Sequence, residues 1–148
     1  MKPLLLDTNV VSEIRKRESR IDANVLNWAR EVDIESCYLS VITLFELERG
    51  VLLLEKKDLE QAAHLGEWLK EIREREFKGR ILPFDASAVS KAASLQSSSP
   101  RSLLDSFIAA TTLEHNMMLA TRNTQDFLEF GVSMVNPWEP GSPVTAML

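Results

Sequence analysis

Short apolar runs alternate with helical patterns along almost the whole chain, and this alternation restricts the fold more than any other feature. Five segments are predicted to be strands, at residues 4–6, 37–41, 80–84, 117–121 and 132–136. Helices are predicted at 10–17, 22–31, 44–54, 59–72, 85–96, 102–115 and 124–129. Strands joined through helices favour parallel pairing, because a parallel pair needs a crossover of about helix length. The sequence therefore predicts an α/β fold, with a mainly parallel central sheet flanked by helices.

The chain has 148 residues, which is the size of one domain. We predict one domain over residues 1–139 and a flexible C-terminal tail over 140–148, which begins Pro-Gly-Ser-Pro. The amphipathic helices at 44–54 and 59–72 either pack within the monomer or supply a dimer face, and the sequence does not separate these uses. Glu13 is expected at a solvated helix position.

Composition narrows the class of protein further. No apolar run approaches the ~20 residues that cross a bilayer. Cys37 is the only cysteine, so an intramolecular disulfide is excluded and a reduced, cytoplasmic protein is expected. The formal net charge is −5, whereas proteins that hold nucleic acid by charge alone are usually basic. If this chain acts on nucleic acid, bound cations or a few placed arginines must supply the attraction.

Four acidic residues occupy equivalent places in the predicted fold. Asp7 ends the first strand, and Glu46, Asp105 and Asp126 are predicted in the first turn of later helices. In a parallel α/β fold, the carboxyl ends of the strands and the starts of the following helices share one edge of the sheet, where ligands bind. The four acids are therefore expected to converge.

Helix capping is the structural alternative for each acid. Acidic residues in a first turn complement the helix dipole, and Asp7 alone can serve as a cap. The segments 43–46, 102–105 and 123–126 each resemble a capping box. The functional interpretation gains its weight only from the placement of all four acids at one edge.

Clustered carboxylates would need a cation, because several of them within a few ångströms cannot all stay ionised at neutral pH. Mg²⁺ or Mn²⁺ suits oxygen ligands, and such a metal can activate water and orient a scissile phosphate. The sequence contains no Cys/His cluster for zinc and no glycine-rich nucleotide-binding loop.

Five segments together carry a resemblance to a known family. They are residues 4–13 (LLLDTNVVSE), 43–50 (TLFELERG), 104–111 (LDSFIAAT), 121–127 (TRNTQDF) and 136–138 (NPW). In this order they resemble the motifs of PIN-domain proteins, in particular the ribonuclease toxins of VapC and FitB type from type II toxin–antitoxin systems.

The resemblance implies a Rossmann-like PIN fold and Mg²⁺- or Mn²⁺-dependent cleavage of RNA. It also implies a cognate antitoxin as partner and a homodimer within that complex. By position, Asp7, Glu46 and Asp105 become the site acids, with Asp7 and Asp105 as the direct metal ligands. Thr8 would support the site through its hydroxyl.

The fourth motif departs from many relatives, which have an acid where this chain has Asn123. Asp126 is the nearest acid, so the fourth position of the site is filled by Asn123, by Asp126, or by both through water. Arg122 beside it either contacts RNA phosphate, which suits the planar guanidinium, or forms a surface salt bridge.

Two other functions are consistent with the same residues. One is a Mg²⁺-dependent phosphatase or phosphotransfer domain with Asp7 as nucleophile, although Asp7-Thr8-Asn9 lacks the second acid usual at such sites. The other is a non-catalytic PIN-fold module that pairs with an antitoxin in operon repression. The substitution at Asn123 favours this module, whereas the presence of Asp7 and the other acids argues against it.

Overall fold

The computed structural model describes residues 2–100 and 102–144 of the chain. Its five strands are β1 Leu4–Leu6, β2 Cys37–Ser40, β3 Ile81–Leu82, β4 Met118–Ala120 and β5 Met134–Val135. They form one sheet in the order β3-β2-β1-β4-β5, and every neighbouring pair is parallel. The predicted α/β fold with a parallel central sheet is confirmed.

Helices cover both faces of this sheet. They are α1 Thr8–Ile14, α2 Ala23–Glu31, α3 Val41–Glu55, α4 Leu59–Glu71, α5 Ala86–Ser98, α6 Leu103–Glu114 and α7 Thr124–Phe127. Short 3-10 turns occupy Ile34–Ser36 and Leu128–Phe130, and a π-helical turn at Ile72–Glu76 follows α4. None of the helices within 2–100 and 102–144 is long and apolar enough to cross a bilayer.

The central strand β1 contributes to a core on each side of the sheet. Leu4 and Leu6 point to one side, where they pack in a cluster with Trp28 of α2. Leu5 points to the other side and packs with Ile108 of α6. This alternation follows from the two-residue period of a strand. All three leucines are buried, as expected for a parallel strand covered on both faces.

The edge strand β3 is shorter than predicted, with two residues in place of residues 80–84. Pro83 follows it directly, and proline has no backbone N–H with which to continue the ladder.

Helix α1 begins two residues earlier than predicted and ends at Ile14 rather than at residue 17. The carboxylate of Asp7 accepts the Thr8 N–H and caps the helix. Glu13 is buried rather than solvated. It accepts the backbone N–H of Asp22 at 2.9 Å and the Lys16 ammonium at 2.7 Å, so it ties α1 to the start of α2.

The C-terminal segment, defined as residues 136–144, lies against α2. Asn24 Nδ2 donates to the Trp138 carbonyl at 2.8 Å, and Trp28 Nε1 donates to the Pro143 carbonyl at 2.9 Å. Val144 packs against the core cluster that contains Trp28. The domain boundary at residue 139 and the flexibility of the tail stay predictions, and residues 145–148 lie outside the described part of the chain.

Candidate functional site

Strands β1 and β4 end side by side at one edge of the sheet. Their register pairs Leu6 with Ala120, so Asp7 and Thr121 are the next residues along each strand. The Asp7 N–H continues the ladder by donating to the Ala120 carbonyl at 2.9 Å. Parallel pairing thus places side by side two residues that are far apart in sequence.

Asp7 lies at the centre of this edge and is only 5% exposed. One carboxylate oxygen accepts the Thr8 N–H at 2.8 Å. The other accepts the Thr121 hydroxyl at 2.7 Å and Asn9 Nδ2 at 3.2 Å. Burial raises the pKa of Asp7 and the nearby charge of Glu46 raises it further, whereas these hydrogen bonds lower it.

The Thr121 hydroxyl has its orientation set by its neighbours. Its oxygen accepts two hydrogen bonds, one from the Asn123 N–H at 3.0 Å and one from Asn9 Nδ2 at 3.5 Å. A hydroxyl has one proton to donate, and with its acceptor side occupied that proton is directed to Asp7. The sequence did not single out Thr121 or Asn9, and for Thr121 no spacing rule links it to Asp7, which is 114 positions away.

Glu46 reaches the same edge from α3. It accepts the Thr8 hydroxyl at 2.8 Å, and the Thr8 oxygen also lies 3.1 Å from the hydroxyl of buried Thr43. The prediction that Glu46 lies in a first turn is wrong, because α3 begins at Val41 and is capped by Ser40, whose hydroxyl accepts the Thr43 N–H. Glu46 therefore does not cap α3.

Asp105 lies in the first turn of α6, as predicted, and is half-buried. Within the described residues, no hydrogen bond or ion pair reaches its carboxylate. Burial, followed by the negative charges of Asp7, Asp126 and Glu46, raises the pKa of Asp105 to about 6. The structure therefore brings all four predicted acids close enough for their charges to interact.

The structural alternative fits Asp7 as a cap, and it fits Asp105 and Asp126 only as first-turn acids that complement the helix dipole, whereas it does not fit Glu46. Ser102 and Asn123, at the starts of α6 and α7, make no side-chain capping bond. The expected capping boxes at 102–105 and 123–126 are therefore absent, as is the one at 43–46, where Ser40 is the cap. Asp126 does lie in the first turn of α7, where it is exposed.

The two polar residues of the fourth motif take different positions. Asn123 is exposed, and its backbone N–H rather than its side chain bonds within the site. Arg122 donates its backbone N–H to Asn9 Oδ1 at 3.2 Å. Its guanidinium carbon lies 5.2 Å from the Trp138 ring centre, and no ion pair involving Arg122 occurs in the described part of the chain.

The donor set is compatible with a hard divalent cation. Four carboxylates share one edge, and their repulsion is what a cation would relieve. No group of three or more acidic, histidine or cysteine side chains among residues 2–100 and 102–144 is arranged to hold an ion by itself. In proteins Mg²⁺ typically keeps several waters and binds one or two carboxylates.

Comparisons with known proteins agree with this architecture. A model of the family "PIN domain" matches residues 4–132. The chain is 38% identical over 145 residues to VapC ribonuclease Y4jK of Sinorhizobium fredii, covering 93% of this chain and 99% of that protein. It is 36% identical over 140 residues to toxin FitB of Neisseria gonorrhoeae, covering 91% and 98%.

Solved structures give the same result. The crystal structure of FitAcB from Neisseria gonorrhoeae contains a chain that matches with a TM-score of 0.81 at 35% identity, covering 92% of this chain and 99% of that one. The structure of FitAB bound to the IR36 DNA fragment matches with a TM-score of 0.81, also at 35% identity, covering 92% and 96%. The chain belongs to the PIN-domain family.

Proposed function

We propose that this protein is a metal-dependent endoribonuclease and the toxin of a toxin–antitoxin pair, which cleaves RNA phosphodiester bonds at its acidic edge. The observation that carries the proposal is the state of Asp105. Its carboxylate has no hydrogen-bond partner among the described residues, and burial, followed by the charges of three further acids, raises its pKa to about 6. A structural acid is normally paired or hydrogen-bonded, so this arrangement favours a cation site.

In this proposal Asp7 and Asp105 hold Mg²⁺ or Mn²⁺. When bound, the cation would activate water and stabilise negative charge on a phosphoryl oxygen. The Thr8 N–H and the Thr121 hydroxyl keep the Asp7 carboxylate in one orientation. Thr8 also bonds Glu46 through its hydroxyl, so one residue fixes two acids of the site. Glu46 and Asp126 complete the catalytic set.

The fourth position of the site is assigned to Asp126 rather than to Asn123. Asp126 acts on Asp105 through its charge. The Asn123 backbone instead stabilises Thr121, and its amide group carries no charge. Asp126 is exposed, and this position is consistent with a carboxylate that would contact the ion through a bridging water.

The residues beside Asp7 weigh against a phosphotransfer domain. Asp7-Thr8-Asn9 lacks the second acid usual at such sites, and Asn9 instead donates its amide N–H to the Asp7 carboxylate at 3.2 Å.

The partners follow from the relatives. The matching chains of FitAcB and FitAB come from complexes named for two proteins, and one of them is bound to DNA. We propose that this chain likewise pairs with a cognate antitoxin in the cytoplasm, and that it forms a homodimer in that complex. Its substrate is RNA, in keeping with the ribonuclease named among its relatives.

The test is cleavage of a mixed RNA by purified, antitoxin-free protein in Mg²⁺, in Mn²⁺ and in EDTA. We expect cleavage with either metal, none in EDTA, and none from Asp7→Asn or Asp105→Asn. Asp85→Asn is the matched control, because Asp85 caps α5 through the Ala88 N–H and asparagine caps equally well. Absence of cleavage by folded wild-type protein in both metals would favour the non-catalytic module.

A further inference from the structure

The C-terminal segment holds Trp138 in a fixed position. The Trp138 N–H donates to Asn136 Oδ1 at 2.9 Å, and its carbonyl accepts Asn24 Nδ2 of α2. The ring is partly buried and packs against the core cluster on the α2 side of the sheet. Further along, Ser142 donates its hydroxyl to the Asn136 carbonyl. These contacts tie residues 136–144 to the body of the domain.

Arg122 stacks on this ring at the edge of the acidic site. Its backbone is fixed by Asn9, which also bonds Asp7. The residues on either side of it, Thr121 and Asn123, belong to the hydrogen-bond network of Asp7. The backbone of Arg122 therefore lies next to the site, and the Trp138 ring limits the orientations that the guanidinium can adopt.

Arg15 and Arg49 also lie over aromatic rings, those of Trp68 and Phe45, and what separates Arg122 from them is its backbone bond to Asn9 in the network of Asp7. Arg30, Arg73 and Arg75 form ion pairs with glutamates, and Arg80 donates to two backbone carbonyls. Arg122 is exposed and has no ion pair within the described part of the chain. A cation stacked on an aromatic face still presents its in-plane N–H groups to a ligand.

The charges of the protein and of RNA indicate that phosphate is the ligand of these N–H groups. The chain carries a net charge of −5, and its site is a cluster of carboxylates that repels a polyanion. An arginine whose backbone borders that cluster, with its fork on Trp138, offers two parallel donors to phosphate oxygens. RNA carries one phosphate at every nucleotide. A strand with one phosphate at the acids therefore has further phosphates that can contact the protein surface around the site.

We propose that Arg122 and Trp138 form a phosphate-binding element for RNA, and that the C-terminal segment is the part of the fold that positions it. Arg122 contacts a phosphate other than the scissile one. Trp138 is a positioning residue that acts through Arg122. This inference rests on the proposed function for the identity of the ligand, but it concerns binding of RNA and not the cleavage step.

The experiment measures RNA binding apart from cleavage, by fluorescence anisotropy of a labelled single-stranded RNA in the Asp7→Asn background. We expect Arg122→Gln to weaken binding about tenfold and to reduce the slope of log K against log salt by about 0.7, the value for one phosphate contact on a single strand. Trp138→Leu should weaken binding several-fold, and Trp138→Phe should restore most of it, because phenylalanine keeps an aromatic face.

Arg75→Gln is the matched control, since it removes the same charge from an exposed arginine that precedes β3, at the opposite end of the strands. In the cleaving wild-type background, Arg122→Gln and Trp138→Leu should raise KM while kcat changes less than threefold. A merely structural role for Trp138 would lower kcat and Tm together, and phenylalanine would not rescue binding.

Three results would overturn the inference. One is RNA binding by the Asp7→Asn protein that does not change with Arg122→Gln. Another is an equal loss with Arg75→Gln, which would indicate a diffuse charge effect. The third is weakened antitoxin binding with unchanged RNA binding, which would assign Arg122 to the protein partner. Failure of wild-type cleavage alone would refute the proposed nuclease and leave the binding result to stand by itself.

Discussion

Replacing Asp105 by asparagine should make the metal-free protein more stable, which is unusual for a change in a half-buried residue. The carboxylate is half-buried, lies near the charges of three other acids, and has no hydrogen-bond partner among the described residues to lose. Asparagine has nearly the same shape and no charge. The substitution therefore removes the cost of burying a charge, together with the repulsion, and leaves the packing at the start of α6 in place.

The size of the effect follows from the pKa. A pKa of about 6 against an ordinary 3.8 means that ionising Asp105 costs the folded protein about 3 kcal/mol, at about 1.4 kcal/mol for each tenfold change. Solvent screening of this partly exposed group reduces the figure to roughly 2 kcal/mol. Loss of an acid from the first turn of a helix lowers the free energy of unfolding of the variant by about 0.3–1 kcal/mol. A net gain of about 1–2 kcal/mol remains, or roughly 2–8 °C in Tm for a domain of this size.

The sign of the pH dependence is fixed by the raised pKa. Below about pH 3 Asp105 is protonated in the folded and the unfolded protein, so it contributes nothing. Between pH 4 and pH 6 the unfolded chain ionises and the folded protein does not, and the wild type loses stability relative to the variant. The full difference is present above about pH 7.

Urea and thermal unfolding in EDTA at low ionic strength, at pH 4.5 and pH 8, measure this difference. Asp85→Asn is the control, because its capping bond to the Ala88 N–H survives and its stability should fall by less than about 1 kcal/mol. Adding Mg²⁺ should stabilise the wild type and reverse the advantage of Asp105→Asn, since a ligand of the folded state raises its stability. A destabilised Asp105→Asn, or an equal gain at both pH values, would refute the conclusion that burial and repulsion make the ionised Asp105 unfavourable.

Two further substitutions test the supporting network. Thr121→Val removes the hydroxyl that bonds Asp7, and it should lower the free energy of unfolding by about 1–3 kcal/mol. It should also weaken Mn²⁺ affinity 10- to 100-fold, as measured by calorimetric titration, and Thr121→Ser should restore both. Unchanged affinity would exclude a role of Thr121 in orienting Asp7. Trp28→Phe removes the donor to the Pro143 carbonyl. We expect the free energy of unfolding to fall by about 1 kcal/mol and hydrogen exchange in residues 138–144 to become faster. Identical exchange would show that this bond does not fix the segment.

Much of the fold was predictable because its signals are local. The apolar runs gave the strands and their order along the chain, and the intervening helices required parallel pairing. The acids at Asp7, Asp105 and Asp126 were placed correctly, because the edge formed by strand ends is a consequence of that pairing. Errors arose at boundaries, where one side chain decides: Asp7 starts α1 early, and Ser40 starts α3 early enough to move Glu46 beyond the first turn.

The choice between capping and a functional cluster could not be made from the sequence. The same acids in the same positions satisfy both interpretations, and the contacts that bear on the choice are not contained in the sequence. Ser102 and Asn123 make no capping bond, whereas Thr8 and Thr121 bond the acids across the fold. Thr121 and Asp7 are 114 positions apart, and no periodicity along a chain carries information about such a pair.

By itself, then, the sequence determined the layered α/β architecture and the edge at which its acids collect, because hydrophobic period and helix-start chemistry act over a few residues. Only the tertiary structure decided how those acids are held. It directs the Thr121 proton to Asp7, leaves Asp105 without a described hydrogen-bond partner and places Arg122 on Trp138. The physical reason is that pKa values and side-chain orientation depend on distances between segments, and these are set only when the sheet has paired and the C-terminal segment has packed against α2.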